Sequence, residues 1–366
     1  MGCNETRTLT KRTNDFEAQC AENMHHTHEH EHRHLARLYL QEKNRLRCQL
    51  CSHHCLIAAG QRGLCAVREN QEGTLYTLVY GQVAAEGADP VEKKPLYHFL
   101  PGSRTWSIAT RGCNFRCQHC QNHTLSQVHP RENPAGHYRS PRQVVAMVRA
   151  KGCTSLSYTY SEPTIFFEFA EDCALLARDQ GLANIFVSNG YMSAQAAERA
   201  GKWLDAANID IKAFTEDFYQ RICGARLAPV LETVQRLHDL GIWLEVTTLI
   251  IPGLNDSEEE LLGLAQFLCK ISSDIPWHLS AFHPAYRLMN AARTPVDILL
   301  KAREIGYSAG LNHVYLGNVA LPGAADTRCP GCGELFLARQ AMQTETEAGA
   351  RGACRSCGRH IAGRWE

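Results

Sequence analysis

No apolar run in this sequence approaches the ~20 residues that a bilayer-crossing helix needs. An excess of either charge is missing as well, since 38 Lys and Arg balance 38 Asp and Glu, so no bulk field favours nucleic acid or a membrane surface. The amino-terminal stretch is polar throughout and lacks the apolar centre of a secretory signal. A dispersed disulfide ladder is absent too. The 17 cysteines, many for 366 residues, gather in C-x2-C and C-x3-C groups, which favours metal ligation in the reducing cytoplasm. What remains is a soluble chain long enough for one large α/β domain with appendages.

The densest cysteine group is itself one member short. Arg111-Gly112-Cys113-Asn114-Phe115-Arg116-Cys117-Gln118-His119-Cys120 is C-x3-C-x2-C with no fourth thiol nearby. Such a loop wraps around a metal centre. A structural zinc ion would require a fourth ligand from elsewhere. A [4Fe–4S] cube held by three thiolates would leave one iron open to a ligand. The spacing alone allows both.

Residues 1–34 are polar and end in His25, His26, His28, His30, His32 and His34, which reads as a disordered extension with Met24 as an alternative start. Met1-Gly2-Cys3-Asn4-Glu5-Thr6 fits the N-acylation pattern but is short enough to arise by chance. Residues 35–103 read as a small cysteine-rich unit, opening on a helical pattern at Leu35, Leu38 and Tyr39. Within it, Cys48, Cys51, Cys55 and Cys65 follow C-x2-C-x3-C-x9-C, a four-thiol site for zinc or for an auxiliary iron–sulfur cluster. A strand is expected at Leu75–Tyr80 and a turn-rich entry to the core at Asp89–Pro95.

From 104 to 320 strand and helix patterns alternate. Strands are expected at Thr105–Thr110, Ser155–Tyr160, Asn184–Ser188, Ala207–Ile211, Leu244–Ile250, His278–Phe282 and His313–Leu316. Amphipathic helices are expected at Pro141–Ala150, Ile165–Asp179, Val230–Leu240, Glu258–Lys270 and Val296–Ile305. Repeated βα units imply a parallel sheet, here a partial (β/α) barrel, with chemistry at the carboxyl ends of its strands. Those ends deliver the Cys113 loop, then Tyr160-Ser161-Glu162-Pro163, Ser188-Asn189-Gly190, Asp210 with Lys212, and His283. Each has a bland alternative. Glu162 suits a helix N-cap before Pro163, Asn-Gly is a common turn, Asp210 with Lys212 makes a structural ion pair, and His283 a core histidine. Cys153, Cys173 and Cys269 lack metal spacing and read as small hydrophobes; Cys223, in Arg221-Ile222-Cys223-Gly224, sits in a Gly-bearing loop where a thiol could take part in chemistry.

The tail, residues 325–366, carries Cys329-Pro330-Gly331-Cys332-Gly333 and Cys354-Arg355-Ser356-Cys357-Gly358. Two C-x2-C knuckles, each followed by Gly, predict a zinc ribbon, with rubredoxin-like iron as the alternative. Residues 340–352 between them read as a loose hairpin tip.

The Cys113 loop, with the ring residue His119 just before its last thiol, resembles the signature of the radical SAM superfamily. The segments Cys65-Ala66-Val67-Arg68-Glu69-Asn70, Val91-Glu92-Lys93-Lys94-Pro95-Leu96, Phe99-Leu100-Pro101-Gly102-Ser103 and Tyr158-Thr159-Tyr160-Ser161-Glu162-Pro163, together with the ribbon, resemble one branch of it. That branch is the AmmeMemoRadiSam-system enzyme, related to pyruvate formate-lyase-activating enzymes, and the resemblance runs from about residue 35 to 366. It implies a [4Fe–4S] cluster on Cys113, Cys117 and Cys120, whose fourth iron is chelated by S-adenosyl-L-methionine (SAM). Reductive cleavage then gives a 5′-deoxyadenosyl radical that abstracts hydrogen from a substrate. The resemblance also implies that Tyr160, Ser161 and Glu162 stand where the family has Gly-Gly-Glu and meets the methionine ammonium. By the same likeness Asn189 meets the ribose, Lys212 the methionine carboxylate, and His283 the substrate or ribose. Implied partners are a low-potential donor, flavodoxin or ferredoxin, and Memo-like and AMMECR-type proteins.

Three functions are open at this point. The first is a radical SAM enzyme with an unidentified substrate. The second is an activase that abstracts hydrogen from a glycine of another protein. The third is a non-catalytic zinc-binding module, which would be colourless and free of iron.

Overall fold

The computed structural model describes residues 34–340, 342–344 and 352–366. The histidines at 25, 26, 28, 30 and 32, the alternative start at Met24 and the Met1–Thr6 pattern lie outside the described residues.

One eight-stranded sheet positions everything else. Its strands are β1 (Ala85–Pro90), β2 (Arg104–Ala109), β3 (Ser155–Tyr158), β4 (Ala183–Ser188), β5 (Ala206–Asp210), β6 (Trp243–Ile250), β7 (Trp277–Ala281) and β8 (Val314–Gly317). They lie side by side in chain order, all parallel except β1, which runs antiparallel to β2. A doubly wound sheet would reverse direction part-way; this one does not. With right-handed crossovers, unbroken order places every connecting helix on one face and curls the sheet around the other. The chain therefore has the expected mixed α/β fold with a central parallel sheet, and all seven expected strands form, displaced by one or two residues.

The longer helices among the described residues are α1 (Pro141–Ala150), α2 (Phe167–Arg178), α3 (Ala194–Ala200), α4 (Ala228–Asp239), α5 (Glu258–Ile271) and α6 (Val296–Ser308). Helix α1 starts where its capping box dictates: the Ser140 hydroxyl accepts from the Gln143 N–H, and the Gln143 side chain accepts from the Ser140 N–H. Three glutamates in the first turn of α5 complement its dipole. Helix α3 was not legible in advance, because its inward face is Ala196, Ala197 and Ala200 and gives little apolar contrast. On β3, Leu156 and Tyr158 pack beneath the helices with Phe166 and Trp203, so Ser155 and Ser157 face the lumen. That lumen is polar: Thr105 bonds Ser157 at 2.7 Å, Thr247 donates to Asn208 at 2.9 Å, and Ser107 donates to Asp89 at 2.8 Å.

The amino-terminal unit corrects one expectation. No helix forms at Leu35–Tyr39; among the described residues the unit is two three-stranded antiparallel sheets. Leu35 and Leu40 are 59% and 58% exposed, so no apolar stripe exists to bury. Leu38 and Lys43 adopt left-handed φ of 56° and 55°, and the second closes a hairpin that pairs Tyr39 with Cys48. The unit is bolted to α2, because Arg68 donates to Glu168 at 2.8 Å with both side chains almost wholly buried. The expected strand near 75 spans Thr74–Thr77, and the expected turn at 89–95 follows β1 as a short 3-10 segment, Val91–Lys93.

The tail folds as small antiparallel ladders, Thr327–Arg328 with Leu335–Leu337 and Arg339–Gln340 with Gln343–Thr344; positions 341 and 345–351 of the expected hairpin tip lie outside the described residues. It docks under the barrel. Arg339 donates to the Tyr97 carbonyl at 2.6 Å, and the Arg364 N–H donates to the His98 carbonyl at 2.7 Å.

Candidate functional site

Five loops meet at the carboxyl ends of β2, β3, β4, β5 and β7. Gly112 opens the first with φ of 108°, and a Cβ there would sit 2.7 Å from Val67 and 3.1 Å from the Cys65 carbonyl, so only glycine fits. Cys113 and Cys117 are buried and Cys120 is half-buried. The Phe115 N–H points at the Cys113 sulfur from 3.3 Å, and Cys120 lies 3.1 Å from the Ser126 hydroxyl. Burial, and secondly the Glu162 charge, pushes the Cys113 thiol well up. Cys117 is raised by its contact with the Cys223 thiol and then by burial.

Glu162 is the clasp of the site. Its Oε1 accepts from the Thr164 N–H at 3.0 Å, the Thr164 hydroxyl at 2.6 Å and the Ser188 hydroxyl at 2.7 Å, and Oε2 accepts from the Asn189 N–H at 2.8 Å. Four donors use most of a carboxylate's capacity, so the N-cap geometry is realised and the Oε2 side alone retains room for another donor. Burial still pushes the carboxyl above its ordinary value. The Asn189 amide in turn donates to Asn114 Oδ1 at 2.7 Å and lies 3.9 Å from the Cys113 sulfur, while its oxygen accepts from the Tyr191 N–H. Glu162, Asn189 and Cys113 are thereby linked across three strand ends.

Tyr160 occupies a left-handed position with φ of 62°. A glycine would adopt that conformation without strain; for tyrosine it costs on the order of 1–3 kcal/mol. Compensation is visible: its hydroxyl donates to Asp89 and its ring lies 4.5 Å from the Lys94 ammonium. The Tyr160 carbonyl accepts from Asn122 at 2.8 Å, tying this turn to the cysteine loop. The Ser161 hydroxyl is buried without a partner.

Lys212 pairs with Asp210 at 2.9 Å. Burial opposes its charge, but Asp210 and the thiols of Cys117 and Cys223 outweigh it and hold the ammonium well above the usual lysine value. Burial, then the Lys212 charge, lowers His119 to about 3, so its ring is neutral; its Nδ1 has no partner. Cys223 closes this side through its backbone as well, its carbonyl accepting from the Arg116 N–H at 2.8 Å. His283 is half-buried on the loop after β7 and makes no hydrogen bond or ring contact among the described residues. Its neighbours do the work there: Tyr286 stacks on His123 at 4.7 Å, and the Arg287 N–H donates to the Gln118 carbonyl at 2.9 Å. Neither carried a sequence signal, since both depend on a loop folding back over another.

The other two cysteine groups differ from each other. In the tail, Cys329 and Cys357 sulfurs lie 3.5 Å apart, Cys332 and Cys354 3.7 Å apart, and all four ligand atoms fall within 4.8 Å of one another. Those separations match the edge of a tetrahedron around one ion, about 3.8 Å for a 2.3 Å metal–sulfur bond, so this cluster could bind a metal. Cys48, Cys51, Cys55 and Cys65 instead line a small cavity beside the cysteine loop.

A family model described as the radical SAM superfamily matches residues 107–265. An uncharacterized protein of Methanocaldococcus jannaschii is 41% identical over 330 residues, covering 87% of this chain and 96% of its own. This chain belongs to the radical SAM superfamily. The pyruvate formate-lyase-activating enzyme of Clostridium pasteurianum is 24% identical over 184 residues, 50% of this chain and 76% of that one. A radical SAM methyltransferase from Sphaerobacter thermophilus superposes with a TM-score of 0.48 at 15% identity, over 65% of this chain and 71% of that one.

Radical SAM membership implies a [4Fe–4S] cluster and SAM, and the residues present fit both. Two buried thiols and one half-buried one share a single loop, backbone and amide N–H groups face the Cys113 sulfur, and His119 Nδ1, Ser161 Oγ and Asn114 Nδ2 are buried without partners. No helix among the described residues is long and apolar enough to cross a membrane.

Proposed function

We propose that this chain is a radical SAM enzyme that abstracts hydrogen from a substrate still to be identified. The observation that carries the reading is the placement of three thiols at one strand end, ringed by polar groups from the ends of β3, β4 and β5. Cys113, Cys117 and Cys120 would hold the [4Fe–4S] cluster. When bound, cluster and SAM together supply a one-electron reductive cleavage that yields a 5′-deoxyadenosyl radical. Lys212, charged and anchored by Asp210, would receive the methionine carboxylate. Glu162 can take the ammonium only on its Oε2 side, so Ser161 and the Tyr160 backbone would share that task. Asn189 acts first as a brace for the Cys113 loop and reaches the ribose only if its bond to Asn114 yields. His283, half-buried on the loop after β7, would face substrate or the ribose.

In this reading residues 35–103 are the cysteine-rich unit, which lends β1 to the sheet, 104–320 the radical SAM core and 325–366 a zinc ribbon. A cytoplasmic setting with a flavodoxin or ferredoxin as donor suits clustered thiols that must stay reduced to hold metal, and the sequence resemblance supports action beside Memo-like and AMMECR-type proteins. Anaerobic purification with iron and sulfide analysis, then SAM and dithionite, tests the chemistry. Release of 5′-deoxyadenosine, lost in Cys113→Ala and retained in Cys329→Ala, is expected; iron-free wild-type protein would overturn the reading. The likeness to the Clostridium pasteurianum activating enzyme favours a second reading, a glycyl-radical activase. A glycine-centred radical in a co-incubated glycyl-radical enzyme, seen by electron paramagnetic resonance, would select it.

A further inference from the structure

We infer that Cys48, Cys51, Cys55 and Cys65 hold a second iron–sulfur cluster, not zinc, placed for one-electron exchange with the group on the Cys113 loop. This rests on the proposed function only for the identity of that neighbouring group. The argument begins with an internal standard. The tail thiols are drawn together at 3.5 and 3.7 Å, as four ligands of one ion must be. Among the described residues they are the one set whose ligand atoms all lie within 4.8 Å; no three of Cys48, Cys51, Cys55 and Cys65 do. Those four instead stand around a shared cavity. Thiolates on different corners of a cube are held apart by the irons and sulfides between them, so spread thiols around a space suit a cluster, and converged thiols suit an ion. The Cys113 trio, which the family assigns to a cube, is spread in the same way.

A second observation concerns a side chain that lines the cavity. Arg68 lines it and is 1% exposed, and although its outer nitrogens bond Glu168 and the Arg37 carbonyl, its Nε has no partner. A buried guanidinium N–H without an acceptor is expensive, and a thiolate or sulfide of an anionic cluster would satisfy it. Ile57, Leu50 and Ile165, all buried, complete an apolar wall.

The position gives the cluster its use. Backbone connects the two cysteine loops at several points: the His53 ring bonds the Asn114 carbonyl at 2.8 Å, Arg116 donates to the Leu64 carbonyl, and Gly112 leaves room for the Cys65 carbonyl. One electron entering at the quartet from a low-potential one-electron donor leaves that donor oxidised; its passage to the Cys113 loop returns the quartet's cluster to its starting state.

The test is metal analysis of whole chains purified anaerobically. Wild type should carry roughly eight irons, and the triple variant Cys113→Ala, Cys117→Ala, Cys120→Ala roughly four, with a dithionite-reduced paramagnetic signal and one zinc in each. The variant Cys48→Ser, Cys51→Ser should lose the other four irons and keep SAM cleavage-competent thiols on the Cys113 loop. An iron-free triple variant with two zincs, alongside wild type with about four irons, overturns this inference while leaving the proposed function intact. Iron-free wild type overturns both. Should either variant prove insoluble, reduced wild type decides: spin–spin broadening between two clusters supports the inference, and a single uncoupled signal with about four irons refutes it.

Discussion

Replacing Glu162 with Gln separates a residue that builds the site from one that only touches SAM. The carboxylate accepts four hydrogen bonds, from Thr164 twice, Ser188 and the Asn189 N–H. A glutamine can keep three of them on its oxygen, but its NH2 must then face the Asn189 N–H, 2.8 Å away in the parent. That contact turns from charge-assisted bond into two opposed donors, worth about 1.5–3 kcal/mol plus the burial of an unpaired N–H. The surviving three bonds lose their charge assistance. Against this, the substitution removes a buried negative charge that burial already disfavours. The net expectation is a loss of about 2–4 kcal/mol in unfolding free energy, read from urea midpoints, with Glu162→Ala lower still. Because Asn189 braces Asn114 beside Cys113, iron retention should fall in parallel. If both variants unfold with wild type and only SAM affinity weakens, Glu162 is a ligand and not a clasp, and the reasoning fails.

Tyr160→Phe removes the hydroxyl that offsets a left-handed tyrosine, and should lower stability by about 1–2 kcal/mol; an unchanged melting temperature would mean Asp89 is satisfied by Lys93, Lys94 and Ser107 alone. Burial lowers His313 to about 4, against 6.5 for an ordinary histidine, so its contribution is present above pH 6.5 and is lost as pH falls toward 4. From pH 7.5 to 5 the loss is about 2 kcal/mol, and His313→Gln should flatten the slope of urea midpoints by that amount; a slope unchanged in the variant refutes the assignment. Removing metal from the tail with a chelator should loosen residues 329–357 to proteolysis while leaving the iron content alone, and acidification should release the same metal because its thiols must be deprotonated. Simultaneous loss of iron would show that the ribbon supports the barrel more deeply than its docking suggests.

Much of the fold was readable because βα alternation is a strong signal: short strand-forming runs, such as Ser155–Tyr158, recur between amphipathic segments. The cysteine loop was readable because three thiols at fixed spacing have few innocent explanations. The amino-terminal hairpins were misread as helix, since three apolar residues at helical spacing are too few to outvote a turn at Lys43. Position along the chain said that Glu162, Asn189 and Lys212 stand at strand ends. It could not say that Asn189 turns its amide onto Asn114 or that Cys223 comes against Cys117, because those contacts join residues 75 and about 106 positions apart. Tyr160 is the instructive case. Its identity gave no hint of a left-handed backbone, which is held here by a hydroxyl–Asp89 bond that only the fold brings together.

The seam between residues 98–100 and 362–364 joins segments far apart in the chain, with the His98 ring bonded to a carbonyl 264 positions later. Closing so long a span adds little to the entropic toll of folding, because that toll grows only with the logarithm of length, but it delays the event. The floor of the barrel therefore closes late in folding, and the chain must keep Tyr97, His98 and Tyr315 from alternative partners until residues 362–364 dock.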